Sequence, residues 1–270
     1  MGMNLSRKEI ETFHKDGVVA LRGIVNAQWR QTLANAIEAD IANPGPYFHG
    51  YEPEDGQGRF HGNLRTWEFH DDFRRFCFQS PLPRLAAGIL GCRRINLLYD
   101  QLFVKEPGTA NRTRWHNDQP YWPVKGHQIL SFWVALDSTT AETGALEFVR
   151  GSHRWGRFYQ PEVFGRAGVD DYERNPDYET VPDIESAREN YDIVSFNLEP
   201  GDAYAFHALA LHGAGGNTSK QVRRRGYTVR YTGEDVIYSS HPGTNRALRN
   251  SQLKDGDRLD SNQYPLVWKG

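Results

Sequence analysis

Residues 115–122 read Trp115-His116-Asn117-Asp118-Gln119-Pro120-Tyr121-Trp122, and the spacing of the histidine and the aspartate decides how the rest of the chain is read. On an extended strand, side chains two apart share a face, so His116 and Asp118 present an imidazole and a carboxylate together. A second histidine from a distant strand completes a set of two imidazoles and one carboxylate with open positions, which suits non-haem Fe(II). His-x-Asp alone recurs by chance. The distant partner comes from Leu211-His212-Gly213-Ala214-Gly215-Gly216-Asn217, followed by the basic run Arg223-Arg224-Arg225.

Around these segments the hydrophobic period is that of strands. The stretches 95–105, 129–136, 145–149, 193–198, 203–206 and 222–231 are each bounded by Gly, Pro, Asn or Asp. The first ninety residues differ. Ser6 and Glu9 form a capping box that opens a helix, and Gly17 ends it. A short strand, 18–21, follows. Asn26 caps a second helix with Trp29, Leu33, Ile37 and Ile41 on one stripe, stopped at Asn43-Pro44-Gly45-Pro46. Residues 47–66 read as a loop, and 69–79 and 82–90 as two shorter helices. Helices followed by strands predict a mainly β fold with flanking α-helices, a double-stranded β-helix of the jelly-roll, cupin-like kind. The expectation is one domain over residues 1–270. It divides into a helix-rich part (1–92), a jelly-roll core (93–235) and a C-terminal extension (236–270). An insert at about 156–190 has no clear period and reads as a lid or substrate-contacting segment.

Composition narrows the function classes. A 270-residue chain buries roughly three quarters of its unfolded surface and needs no disulfide staple. Its two cysteines, Cys77 and Cys92, form no paired framework, which points to a reduced, cytoplasmic setting. The net charge of −2 gives no basic footprint for nucleic acid. No run is long and apolar enough for a membrane span, and the start is not a signal peptide. Seven Trp, thirteen Tyr and fourteen Phe suit an aromatic-lined pocket, although a sandwich core accounts for most of them.

Four ordered segments carry a resemblance to a known family. They are Asp100-Gln101-Leu102-Phe103-Val104-Lys105, the His-x-Asp segment, Gly144-Ala145-Leu146-Glu147-Phe148-Val149-Arg150-Gly151-Ser152-His153, and Gly201-Asp202 leading on to His212 and the arginines. Together they resemble the phytanoyl-CoA dioxygenase family of Fe(II)- and 2-oxoglutarate-dependent oxygenases, over most of the chain. The resemblance implies Fe(II) as the metal, 2-oxoglutarate and O2 as cosubstrates, and hydroxylation of an unactivated C–H bond with release of succinate and CO2. It implies His116, Asp118 and His212 as metal ligands. Halogenating relatives replace the carboxylate with a small residue, so Asp118 argues against halogenation.

The residues leave some choices open. His207 competes with His212 as the distal ligand, and five residues apart they do not share a strand face. The small residues after His212 allow backbone to approach a cofactor closely, and the family places its ligand in a His-Gly dipeptide; both favour His212. His207 then packs or supports. Zinc is the rival metal, but a structural zinc wants a fourth ligand that is not nearby.

The far carboxylate of 2-oxoglutarate needs a cation, and an arginine fork fits best. Arg224 ranks first because Gly226, two residues on, leaves space for the ligand; family spacing from the distal histidine puts Arg223 second. Similar positions in relatives assign cofactor contacts to Gln101 and Trp133, with Lys105 as a third candidate. Tyr47, Phe48, His49, Tyr51, Phe60-His61-Gly62-Asn63, Tyr121-Trp122 and Arg230 are expected around the pocket mouth. A small-molecule substrate is preferred, because outside the arginine run no basic patch awaits CoA phosphates. The alternatives are an acyl-CoA hydroxylase of the same family, a non-catalytic ligand-binding jelly roll and a cupin-like iron dioxygenase without 2-oxoglutarate. Oligomeric state is not legible.

Overall fold

The change of period near residue 94 is where the helical layer gives way to sheet. The computed structural model describes residues 4–51, 58–162 and 172–270. Among the described residues four α-helices, α1 (Arg7–Asp16), α2 (Ala27–Ala42), α3 (Asp71–Gln79) and α4 (Leu82–Leu90), all lie before residue 94. Their ends follow local chemistry. Ser6 and Glu9 close the capping box of α1. Gly17 ends that helix at φ 80°, a left-handed conformation open to glycine at no steric cost. The Asn26 side chain accepts from the Trp29 N–H at the start of α2.

The strands are β1 (Val18–Leu21), β2 (His49–Tyr51), β3 (Phe60–Leu64), β4 (Arg94–Lys105), β5 (Thr113–His116), β6 (Val124–Lys125), β7 (Ile129–Ala135), β8 (Leu146–Val149), β9 (Ile193–Ser195), β10 (Ala203–His207), β11 (His212–Ala214), β12 (Arg224–Thr232), β13 (Ile237–Tyr238) and β14 (Leu266–Lys269). An eight-stranded sheet runs β1-β10-β7-β12-β4-β3-β2, with β14 also on β4; a second sheet runs β5-β11-β8-β9. From β4 to β12 the chain passes repeatedly between these two sheets, and all pairings between the named strands are antiparallel. This is the expected jelly roll flanked by helices.

Strand alternation sorts the large sheet into two faces. Tyr227, Val229 and Tyr231 of β12, with Leu130, Phe132 and Val134 of β7, join Phe13, Leu33, Phe73, Phe76 and Leu85 in the core under the helices. Phe73 stacks on Tyr227 with ring centroids 4.8 Å apart. The opposite face looks between the sheets, where Trp133, Tyr204 and Phe206 meet Leu146 and Phe148. On that inner face β12 presents Arg224, Thr228 and Arg230, so its polar residues are buried inside the roll.

The loop expected at 47–66 is instead partly sheet. β2 pairs with β3, and β3 pairs with β4 from Phe60↔Lys105 to Leu64↔Gln101. Its alternation is masked in the sequence because His61 and Asn63, which face α2, are polar although buried. His61 Nε2 lies 2.7 Å from Asp40 Oδ2 of α2, and Asn63 donates to Asp40 Oδ1 at 2.8 Å. The 1–92 part therefore adds three strands to the large sheet, and the C-terminal extension adds β14. Part of the 156–190 insert, residues 163–171, lies outside the described residues. No helix among the described residues is long and apolar enough to cross a membrane.

Candidate metal and cosubstrate site

β5 ends at His116, and Asp118 is not on its straight continuation. Asp118 has helical backbone angles (φ −76°, ψ −39°) and opens a 3₁₀ turn, Gln119–Tyr121. Its N–H bonds to the Ala208 carbonyl at 2.9 Å. Contrary to the shared strand face expected for His-x-Asp, a turn pinned to the segment before β11, not β periodicity, brings the carboxylate back beside His116. Across the β5–β11 pair, His212 sits directly opposite His116. One ligand atom from each of His116, Asp118 and His212 falls within 4.8 Å of the others, and all three residues are buried.

Backbone carbonyls orient both imidazoles. His116 Nδ1 lies 2.8 Å from the Arg114 carbonyl and His212 Nδ1 lies 2.9 Å from the Ala210 carbonyl. A carbonyl only accepts, so each Nδ1 carries the hydrogen and each Nε2 presents its lone pair. Asp118 Oδ1 is 3.5 Å from Nε2 of His116 and 4.0 Å from Nε2 of His212. Three acceptors facing one another in a buried pocket call for a cation between them. Burial pushes the His212 imidazole down to about 3, with His116 adding to the effect, so it stays neutral. Burial pushes the Asp118 carboxyl up, but Arg230 and the two imidazoles outweigh it and hold the group well below the usual carboxylate range.

The cluster lines a cavity of about 420 Å³. Along β12, Arg224 faces into it and is 2% exposed. Its guanidinium carbon is 5.3 Å from the Trp133 ring centroid, and its Nε has no hydrogen-bond partner among the described residues. Burial lowers Arg224 to about 10, which leaves it a cation at neutral pH. Thr228, paired across to Gln101 and Trp133, carries a buried hydroxyl also without a hydrogen-bond partner. Gln101 Nε2 lies 3.3 Å from His49 Nε2. Lys105 Nζ donates to the Asn111 and Gly215 carbonyls at 2.8 and 2.7 Å, and burial lowers it to about 6.

Arg223 points elsewhere: its guanidinium is held by Glu106 and Glu38, at 2.7 and 2.6 Å. His207 is a packing residue, with Nε2 3.0 Å from the His127 carbonyl and Nδ1 accepting from the Leu209 N–H.

Two of the expected glycine roles differ in the structure. A Cβ on Gly226 would run into the Trp133 indole, so this glycine makes room for the tryptophan rather than for a ligand. A Cβ on Gly216 would press on the Thr109 and Ala110 carbonyls at 2.7 and 2.8 Å, and one on Gly213 would meet the Thr113 carbonyl at 3.1 Å. Gly213 and Gly216 thus admit neighbouring backbone rather than a cofactor, while a Cβ on Gly215 would meet nothing within 4 Å.

Tyr47, Phe48, His49, Phe60, Tyr121, Trp122 and Arg230 line the cavity as expected. His61 and Asn63 do not, since both turn to Asp40; the Tyr51 side chain lies outside the described residues. Tyr99 and Phe103 were missed, although they alternate with Gln101 and Lys105 and strand parity would have found them. Tyr172, at the edge of the insert, and Asn245, Ala247 and Leu248, from the C-terminal extension, also line the cavity, and no sequence signal marked them.

The family model described as phytanoyl-CoA dioxygenase (PhyH) matches residues 13–226. The chain belongs to the phytanoyl-CoA dioxygenase family. Among its relatives, the dioxygenase AneA of Aspergillus aculeatus is 25% identical over 235 residues, covering 82% of this chain and 70% of its own. A methylphosphonate hydroxylase of Gimesia maris is 25% identical over 232 residues, covering 84% and 81%. The carbocyclase SnoK of nogalamycin biosynthesis shares the fold with a TM-score of 0.77 at 22% identity, over 98% of this chain and 97% of its own. EctD of S. alaskensis, solved with 2-oxoglutarate and 5-hydroxyectoine, shares it at 0.70 and 22% identity, over 94% and 85%.

Proposed function

We propose that this chain is an Fe(II)- and 2-oxoglutarate-dependent dioxygenase that hydroxylates an unactivated C–H bond of a small organic metabolite. The observation that carries the reading is the convergence of His116, Asp118 and His212 within 4.8 Å on the wall of a cavity that Arg224 also lines. The donor set fits ferrous iron, with two imidazoles, one carboxylate and positions left open. When bound, iron and 2-oxoglutarate supply the oxidation: one oxygen atom of O2 enters the substrate C–H bond, and the other enters succinate as CO2 leaves.

The residues of the chain bind, orient and exclude water. His116, Asp118 and His212 hold the metal. Arg224, whose Nε is unpartnered among the described residues, receives the far carboxylate of 2-oxoglutarate, aided by the Thr228 hydroxyl, with Gln101 donating beside the metal and Trp133 as an apolar wall. Lys105 pins the 106–111 and 214–216 backbone to this wall. Tyr121 packs edge-on against the His116 ring and, from the other side, meets Tyr172 with ring centroids 5.2 Å apart, which closes the cavity near the insert.

An acyl-CoA substrate fits less well. Outside the cavity the arginine run is already engaged: Arg223 by Glu106 and Glu38, Arg225 by Asp137 at 2.8 Å. It is not available for CoA phosphates. A non-catalytic role is disfavoured by the complete ligand set. We read the chain as one folding unit, since segments from both ends are hydrogen-bonded into one sheet, and two free buried thiols suit the cytoplasm. The reading is tested by screening metabolites for Fe(II)-dependent succinate release from 2-oxoglutarate under air. Stimulated release supports it. Metal-loaded protein that never yields succinate, with or without added metabolites, refutes it.

A further inference from the structure

We propose that Arg230 anchors an acidic oxyanion of the substrate, a carboxylate or phosphonate carried on a compact apolar body. This rests on the oxygenase reading above and names the substrate class of that site. Arg230 lies on the inner face of β12 in the same row as Arg224, lines the cavity and is 4% exposed. Two aromatic faces hold its guanidinium, Tyr99 at 4.3 Å and Trp122 at 5.5 Å from the ring centroids. The Trp122 indole N–H in turn donates to the Tyr99 hydroxyl at 2.8 Å, which fixes both walls. A cation so confined is pre-organised for an oxyanion that offers two oxygens to its fork.

The structure gives it no such partner. Nε and Nη1 of Arg230 are buried without a hydrogen-bond partner among the described residues. The nearest carboxylate, Asp118 Oδ2, is 3.7 Å from Nε, an ion pair but too long for a hydrogen bond. Unsatisfied buried N–H groups cost free energy and mark a missing ligand or water. Asp118 belongs to the ligand cluster, whereas an arginine has five N–H donors, enough to face Asp118 and a second oxyanion at once.

Charge balance points the same way. Among the described lining residues the cations are Lys105, Arg112, Arg224 and Arg230, and Asp118 is the sole carboxylate. Arg112 pairs with Glu185 at 3.1 Å. Lys105 is spent on two carbonyls, and burial lowers it to about 6. Ferrous iron brings two positive charges, and Asp118 with a 2-oxoglutarate dianion brings three negative ones. Arg224 cancels the remainder, and the Arg230 charge is left over. A substrate with one negative group neutralises it; a neutral one leaves a buried cation uncompensated. Much of the remaining wall, including Tyr47, Phe48, Phe60, Tyr172 and Leu248, is aromatic or aliphatic, with Asn111, Thr113 and Asn245 as polar breaks, which sets a mainly apolar body. Because Arg230 abuts Asp118, the carbon oxidised lies close to the acidic group.

The test uses the full chain loaded anaerobically with Fe(II) and 2-oxoglutarate, whose weak visible absorption shifts when substrate enters. The probes are phenylacetic, cyclohexylacetic and benzylphosphonic acids, each beside its neutral amide or ester. In the wild type the acids shift the band at concentrations about tenfold or more below those of the neutral partners. Arg230→Gln abolishes the difference and Arg230→Lys keeps part of it. The ranking of carboxylic against phosphonic acids tells which oxyanion fits. Equal potency of acids and neutral partners in the wild type overturns the proposal, as does an absence of any shift at millimolar acid. These comparisons need no variant to fold. An acid preference that survives in Arg230→Gln also overturns it and reduces Arg230 to a residue that positions Asp118. Failure of the wild type to form the band at all is a different result: it removes the oxygenase reading, and this proposal falls with it.

Discussion

His116 and His212 face each other across the β5–β11 pair with ring centroids 4.2 Å apart, and each directs Nδ1 at the carbonyl two residues before it. The same local device therefore fixes the tautomer on both strands and turns both Nε2 atoms toward Asp118. Disturbing even an outer partner of a metal ligand costs about 10–100-fold in affinity. Deleting a ligand costs at least as much. His116→Ala and His212→Ala should each weaken Fe(II) binding by about a hundredfold or more, measured by anaerobic calorimetric titration. Undiminished affinity in either variant removes that residue from the metal site.

Asp118 is buried beside Arg230, not on an exposed rim. Its loss therefore bears on stability as well as on turnover. Alanine leaves the Arg230 guanidinium facing an empty, low-dielectric site. Breaking a buried pair costs about 3 kcal/mol or more, and somewhat less at this separation. Asp118→Ala should abolish turnover and destabilise the metal-free protein by about 2 kcal/mol in urea unfolding. Asp118→Asn, nearly isosteric, should lose turnover with a smaller stability change. Wild-type turnover in Asp118→Asn contradicts the assignment.

Arg224 and Arg223 are adjacent in sequence but differ in what they touch. Arg224 faces the cavity with an unpartnered Nε, while Arg223 is clamped between Glu106 and Glu38. A hydrogen bond to a charged group is worth about 1.5–3 kcal/mol, or roughly tenfold to a hundredfold in binding. Arg224→Gln should raise the 2-oxoglutarate KM by about that factor, and Arg223→Gln should leave it within about twofold. The reverse pattern in steady-state kinetics puts the register off by one.

How much of this was legible depended on whether a feature is local. The caps of α1 and α2 and the long strands β4, β7 and β12 were readable, because each depends on its own residues and period. The inward row of β12 followed from parity once Arg224 was chosen. β3 was not readable, because its His61 and Asn63 are satisfied by Asp40 of a helix more than twenty residues away in sequence. The joint placement of His116 and Asp118 was anticipated for the wrong reason. Alternation put them on one face, whereas the turn at Asp118 depends on the Ala208 carbonyl, a partner remote in sequence. Gly226 and Gly216 were recognised as close approaches, but the occupant of each space is a tertiary fact.

Acid stability follows from the buried imidazoles. Burial lowers His207 to about 4 and His212 to about 3 from an ordinary 6.5, and it lowers His49 and His153 in the same direction. Such groups bind protons less readily folded than unfolded. Their contribution is complete above pH 6.5 and is lost as pH falls through 6.5 toward 4. Asp100 works in the opposite sense: burial raises it to about 6 from 3.8, so its contribution is present at low pH and lost as pH rises through 6. The histidines outnumber it. The thermal midpoint of the metal-free protein should fall between pH 6.5 and 4, and less steeply in His207→Gln. A flat or rising midpoint over that window contradicts the burial assigned to these side chains.

The account turns on whether one ferrous ion and one 2-oxoglutarate meet between β5, β11 and β12. Anaerobic addition of 2-oxoglutarate to the Fe(II)-loaded wild type, followed in the visible range, reads this directly. A weak charge-transfer band that saturates with the oxoacid, is absent in His212→Ala and needs far more oxoacid in Arg224→Gln is the predicted result. Iron bound with full affinity but no band at any 2-oxoglutarate concentration would contradict it.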